Sequence, residues 1–228
     1  MTEEEMDTIV GQHMDPWNMW VPTDKVLVKM YAMMNGMTYR GIRIHKFPVD
    51  AWVYQEIISA LSPTVIIELG NQYGGSALYL RDLMNFGTTA GGIVIGVDKD
   101  HSLLDTRIGK VDGIAWVEGD TEDPEVVNKV HNLASHYPGP CVVIDDAAHT
   151  VENVYRNLVN YSDLVSVGSF HIVEDTVDNF CVKHANETVN PYGGIQRFMG
   201  ETKDFEIERR MEMLYLTFNP KGYLRRVR

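Results

Sequence analysis

Short apolar runs, each ended by glycine or an acidic residue, alternate with longer segments of helical period through the middle of the chain. TVIIELG, GGIVIGVDKD, IAWVEGD, CVVIDD and GSFHIVEDT carry continuous blocks of apolar residues. A strand with one face in water alternates; a continuous block suits a strand buried on both faces. Between them, SALYLRDLMNFG, EVVNKVHNLASHYP and HTVENVYRNLVNYSDLV read as helices, the second stopped by Pro138. Strands alternating with helices predict a parallel sheet covered on both faces.

The two ends differ from this middle. Asp24 caps a helix predicted over Lys25 to Asn35, with Gly36 ending it, and the turn-rich MTYRGIRIHKFPVD follows. VDAWVYQEIISALSP reads as an amphipathic helix stopped by Pro63. Beyond the fifth strand, YGGIQRFMGE predicts a short helix. FEIERR and LYLTFNPKGYLRRVR predict two strands that close the sheet as an antiparallel pair, the second meeting a turn at Asn219–Gly222. The expected class is α/β: a Rossmann-like sheet, mostly parallel with an antiparallel C-terminal pair, and helices on both faces.

Composition narrows the function. A 44% hydrophobic content supports a sizeable core, and a net charge of −12 argues against a grip on nucleic acid or an anionic membrane. Cys141 and Cys181 form no CxxC, and Cys141 lies in an apolar run, so a reduced, cytoplasmic protein is expected. MTEEEMDTIV is acidic where a signal peptide is basic, and no apolar run is long enough to span a bilayer.

The candidate chemistry sits at strand ends, where open parallel sheets bind ligands. The first strand ends Glu68-Leu69-Gly70 and runs through Asn71, Gly74 and Ser76 into a helix; the second ends at Asp98 and the third at Asp120. This is similar to the S-adenosylmethionine pattern of the class I methyltransferase fold, in which the first loop holds the methionine part, the second carboxylate the ribose and the third the adenine. The fourth strand ends Asp145-Asp146 with His149 three residues on, and the fifth ends Glu174-Asp175. Carboxylates gathered at one edge resist ionising together unless a cation joins them, and oxygen ligands suit magnesium or manganese. A metal favours the alkoxide of an alcohol and a histidine can take its proton, which gives Asp146 to the metal and makes His149 the base. The competing reading is that Asp145 and Asp146 merely cap the helix after them.

From about Gly41 to Arg226 the chain resembles the cephalosporin hydroxylase/rhamnosyl O-methyltransferase family, through HKFPVDAWVYQEII, IIELGNQYGGSAL, GVDKD, VVIDDAAHT, SVGSFHIVEDT and LTFNPKGYLRRV. It is also similar to the catalytic domain of macrolide-sugar O-methyltransferases. The resemblance implies metal ligands at Asp146, Glu174 and Asp175 and a base at His149. It implies S-adenosylmethionine around Glu68, Gly70, Asn71, Gly74, Ser76, Asp98, Asp120 and Asp145. It further implies a homo-oligomer, a small hydroxylated acceptor such as a sugar, an N-terminal extension over residues 1–62 serving as lid or oligomer contact, and a catalytic domain over 63–228. Ala148 stands where some relatives carry an acid before the histidine. The alternatives are an amine acceptor and a cofactor-binding auxiliary subunit of a hydroxylation system. A nicotinamide oxidoreductase is disfavoured by the missing GxGxxG and the missing Tyr-x-x-x-Lys, since Tyr155 and Tyr161 are followed four places on by Val159 and Val165.

Overall fold

The computed structural model describes residues 30, 33–86, 91–179, 189–214 and 216–228. Trp17, Trp20, Cys181, His184 and most of the helix expected over Lys25 to Asn35 lie outside them.

The described chain opens on a hairpin, β1 (Thr38–Tyr39) and β2 (Ile42–Arg43), followed by α1 (Pro48–Leu61). The alternating part runs β3 (Val65–Leu69), α2 (Gly75–Phe86), β4 (Ile93–Asp98), β5 (Ile114–Glu118), α3 (Pro124–Ser135), β6 (Cys141–Asp145), α4 (Val151–Tyr161) and β7 (Phe170–Val173). The last elements are α5 (Pro191–Glu201), β8 (Phe205–Ile207) and β9 (Tyr223–Arg226). Seven strands form one sheet in the order β5-β4-β3-β6-β7-β9-β8. The first five in that order are parallel, and β9 runs antiparallel to both β7 and β8. This is the class expected from the sequence.

The apolar blocks explain the sheet. Along β3, Val65, Ile67 and Leu69 join one core with Val126 and Val130 of α3, Leu158 of α4 and Ile195 of α5. Ile66 points the other way, into a core with Val53, Tyr54 and Ile57 of α1 and Leu80 and Met84 of α2. Both faces of one strand are therefore buried, each under its own helices, as continuous apolar runs require. Among the described residues no helix is long and apolar enough to cross a membrane.

One expected element is shorter than its sequence suggests. Among the described residues of LYLTFNPKGYLRRVR, only Tyr223–Arg226 pairs as a strand. The backbone N–H of Phe218 donates instead to Asp50 Oδ2 at 2.8 Å, and the Thr217 hydroxyl donates to Asp50 Oδ1 at 2.5 Å. A buried carboxylate on α1 thus takes donors that a sheet neighbour would otherwise receive.

Topology places the site. The strand order reverses between β3 and β6, with β4 and β5 on one side and β7 on the other. Leu69 is level with Asp145, and Asp145 with Val173. The loops beginning at Gly70, Asp146 and Glu174 therefore leave the sheet side by side, at the switch point where open α/β sheets bind ligands.

Candidate active site

The loop after β3 is held from both sides. Gly70 has φ +84°, its N–H donates to Val97 O at 2.7 Å, and a Cβ there would collide with the Asp146 carbonyl. Only glycine lets these two loops meet so closely. Asp98 then receives the backbone N–H groups of Asn71 and Gln72 on Oδ2, at 3.1 and 2.8 Å. Gly74, also at positive φ, and Ser76 carry the loop into α2.

Gly70, Asn71, Ser76, Asp98 and Asp120 line a cavity of about 770 Å³. Both polar atoms of the Asn71 side chain are buried in it without a protein partner. Asp120 Oδ1 accepts the Glu122 N–H at 2.9 Å, while the cap of α3 is Asp123. Glu68, Gly74 and Asp145 do not line the cavity. Glu68 is fully buried beneath it, and Asp145 Oδ1 accepts from Asn157 Nδ2 at 3.1 Å, with burial pushing its carboxyl up to about 7.

The same cavity is also lined by Asp146, His149 and Asp175. One ligand atom from each lies within 4.8 Å of those of the other two. His149 Nε2 is 3.5 Å from Asp146 Oδ1 and 3.7 Å from Asp175 Oδ2. Burial alone would lower the imidazole's pKa; Asp175, Asp146, Asp145 and Glu174 more than offset it, and the net shift is upward. His149 and Asp175 both adopt left-handed backbone, with φ of 54° and 56°. Non-glycine residues in that region concentrate where geometry matters for function. Thr150 caps α4 by accepting the Asn153 N–H at 3.2 Å, so neither Asp145 nor Asp146 serves as that helix's cap.

Glu174 is turned toward a different partner. Its Oε1 accepts from Lys46 Nζ at 2.7 Å and from Tyr54 OH at 2.8 Å. The same ammonium reaches Asp146 Oδ2 at 2.7 Å and Glu68 Oε1 at 3.4 Å. Burial would lower the Lys46 pKa, but the three carboxylates around it hold it well above the ordinary value. Burial, together with the charge of Asp146, pushes Glu174 up to about 7 against the pull of Lys46.

Lys46, Tyr54, Arg43 and His45 carry no role in the sequence reading. Lys46 and Tyr54 both stand in HKFPVDAWVYQEII, and a lysine beside a proline-started helix was the available signal. Arg43 lies 4.5 Å over the Tyr73 ring and donates to its hydroxyl at 2.8 Å; both residues line the cavity with His45.

A mostly parallel sheet with this cavity at its switch point is the architecture of the class I methyltransferases, and the likeness to known proteins makes this one an S-adenosylmethionine-dependent methyltransferase. Residues 31–227 match the family described as Rhamnosyl O-methyltransferase/CmcI, and the chain belongs to that family. It is 32% identical over 212 residues to a rhamnosyl O-methyltransferase of Mycobacterium bovis (strain BCG / Pasteur 1173P2), covering 89% of this chain and 86% of that one. The corresponding protein of Mycobacterium leprae (strain TN) is 29% identical, with 89% and 91% covered. Among solved structures, CmcI described with Mg and SAM superposes with a TM-score of 0.65 at 27% identity, over 85% of this chain and 78% of that one.

Proposed function

We propose that this protein moves a methyl group from S-adenosylmethionine to a hydroxyl of a sugar or a related natural product. A divalent cation, magnesium or manganese, orients the hydroxyl and His149 is the general base. One observation carries the reading: Asp146, His149 and Asp175 come together in the lining of the same cavity that Asn71, Asp98 and Asp120 line. The likeness to rhamnosyl O-methyltransferases and to a CmcI structure with Mg and SAM supports the acceptor and the metal.

The donor set fits such a cation. Asp146, His149 and Asp175 bring their ligand atoms within 4.8 Å of one another; Glu174 stands outside that group, its Oε1 taken by Lys46 and Tyr54, and would reach a cation only through Oε2. When bound, the cation lowers the pKa of a hydroxyl that coordinates it. His149 Nε2 then accepts the hydroxyl proton, and the nearby Asp146 and Asp175 favour the resulting imidazolium. Asp98 holds the ribose, Asp120 the adenine amino group, and the unpartnered amide of Asn71 meets the methionine end. Lys46 holds Asp146 and Glu174 together and pulls both toward the ionised form, against the burial that raises their pKa.

Calorimetric titration with S-adenosylhomocysteine and then magnesium tests the reading, followed by a screen of hydroxylated acceptors. Binding of both ligands and metal-dependent methylation of a sugar hydroxyl is the expected result. Methylation of an amine that persists in chelator would overturn the metal and the base together.

A further inference from the structure

We propose that Asn219 is the positioning residue of the metal site, a single side chain that sets both Glu174 and Asp175. The proposal rests on the metal reading above. Asn219 is 1% exposed, and each end of its amide is engaged. Oδ1 accepts the backbone N–H of Asp175 at 3.0 Å. Nδ2 donates to Tyr54 OH at 3.0 Å, and that hydroxyl donates to Glu174 Oε1 at 2.8 Å.

The geometry explains how two consecutive carboxylates both come near Asp146, Glu174 through Lys46 and Asp175 beside His149. Successive side chains of an extended strand point to opposite faces. Asp175, at φ +56°, breaks that alternation just past β7. Left-handed backbone costs a non-glycine residue about 1–2 kcal/mol, and the bond from the Asp175 N–H to Asn219 favours it. Glu174 is meanwhile fixed through Tyr54. Asparagine suits the task because it offers one acceptor and one donor on a short stem; an ionised aspartate has no donor and serine has a single oxygen.

Asn219 is itself held rigidly. Its N–H donates to Thr217 Oγ1 at 2.9 Å and its carbonyl accepts from Gly222 at 2.9 Å. Thr217 and Phe218 are fastened to Asp50 of α1, and the Thr176 hydroxyl donates to Pro220 O at 2.7 Å. The segment TFNPKG thus carries the orientation of α1 to the metal ligands. Groups around ligating side chains typically change metal affinity by about 10–100-fold when removed.

Manganese affinity, read from the EPR signal of free Mn²⁺, and S-adenosylhomocysteine affinity, read by calorimetry, are to be measured for the wild type, Asn219→Ala and Tyr54→Phe. Asn219→Ala is expected to weaken manganese about 10–100-fold while leaving the nucleoside affinity essentially unchanged. Tyr54→Phe, which removes the hydroxyl between Asn219 and Glu174 but leaves the Asn219 bond to Asp175 in place, is expected to weaken manganese less, and to add little in the double variant. Wild-type manganese affinity in Asn219→Ala overturns the proposal, and so does an equal loss of both ligands, which is the mark of general damage. If Asn219→Ala does not fold, Tyr54→Phe decides, with unchanged manganese affinity counting against the clamp. A wild type that binds the nucleoside but no manganese removes the metal reading itself, an outcome separate from failure of the clamp.

Discussion

The ammonium of Lys46 lies 2.7 Å from the carboxylate of Glu174, inside the protein. Asp146 and Glu68 share that ammonium. Carboxylates brought this close out of water repel one another, and a tethered cation lets the chain fold before any free ion arrives.

Lys46→Met should therefore be destabilising, by about 3–5 kcal/mol if the buried pair behaves as others do when one partner is removed. A divalent cation should compensate. The rise in melting temperature on adding magnesium is expected to be larger for Lys46→Met than for the wild type. Equal magnesium shifts in the two proteins would show that Lys46 and the metal do not address the same carboxylates.

His149→Gln separates a base from a ligand. As a general base the imidazole is worth about 10²–10⁴ in turnover, and manganese should still bind because the carboxylates remain. As a metal ligand its loss would weaken manganese as much as loss of Asp146 does. Parallel manganese titrations of His149→Gln and Asp146→Asn decide the matter; the expectation is retained affinity in the first and strong loss in the second, with S-adenosylhomocysteine bound by both.

Asp98 has a second task besides any ribose contact, since two loop N–H groups point at its Oδ2. Hydrogen bonds to a charged acceptor contribute about 1.5–3 kcal/mol each. Asp98→Ala is expected to weaken S-adenosylhomocysteine at least about tenfold, with manganese affinity kept. Calorimetry reads both, and unchanged nucleoside affinity would remove Asp98 from the cofactor site.

What the sequence disclosed follows from how far apart the interacting groups are. The strands were legible because a two-face-buried strand is apolar at every position, and Asp146 and His149 were legible because they follow one strand end within three residues. Lys46 and Asp146 are 100 residues apart, and Asn219 and Asp175 are 44 apart. No local pattern marks such pairs. Thr217 and Phe218 stand in a run that reads as strand and pair in none, because Asp50, 168 residues before Phe218, captures that backbone. The cap reading of Asp145 and Asp146 does not hold, because Thr150 is the residue that caps α4.

Asp50 makes stability depend on pH in a direction opposite to most carboxylates. Burial pushes its carboxyl up to about 7, although Thr217, Phe218 and Tyr223 all donate to it. In the unfolded chain an aspartate titrates near 3.9. The folded state therefore holds a proton that the unfolded state releases, and stability falls as pH rises between these two values. The contribution is full below about 4 and is lost as pH passes through about 7. Asp50→Asn cannot titrate there, and it also places an amide against groups that donate, so it should be less stable at pH 5. The gap in melting temperature between wild type and Asp50→Asn is expected to be largest near pH 5 and to narrow toward pH 8.5. Thermal melts of the two proteins across that range check it. A gap that stays constant would mean that Asp50 is ionised throughout, with its three donors outweighing the cost of burial.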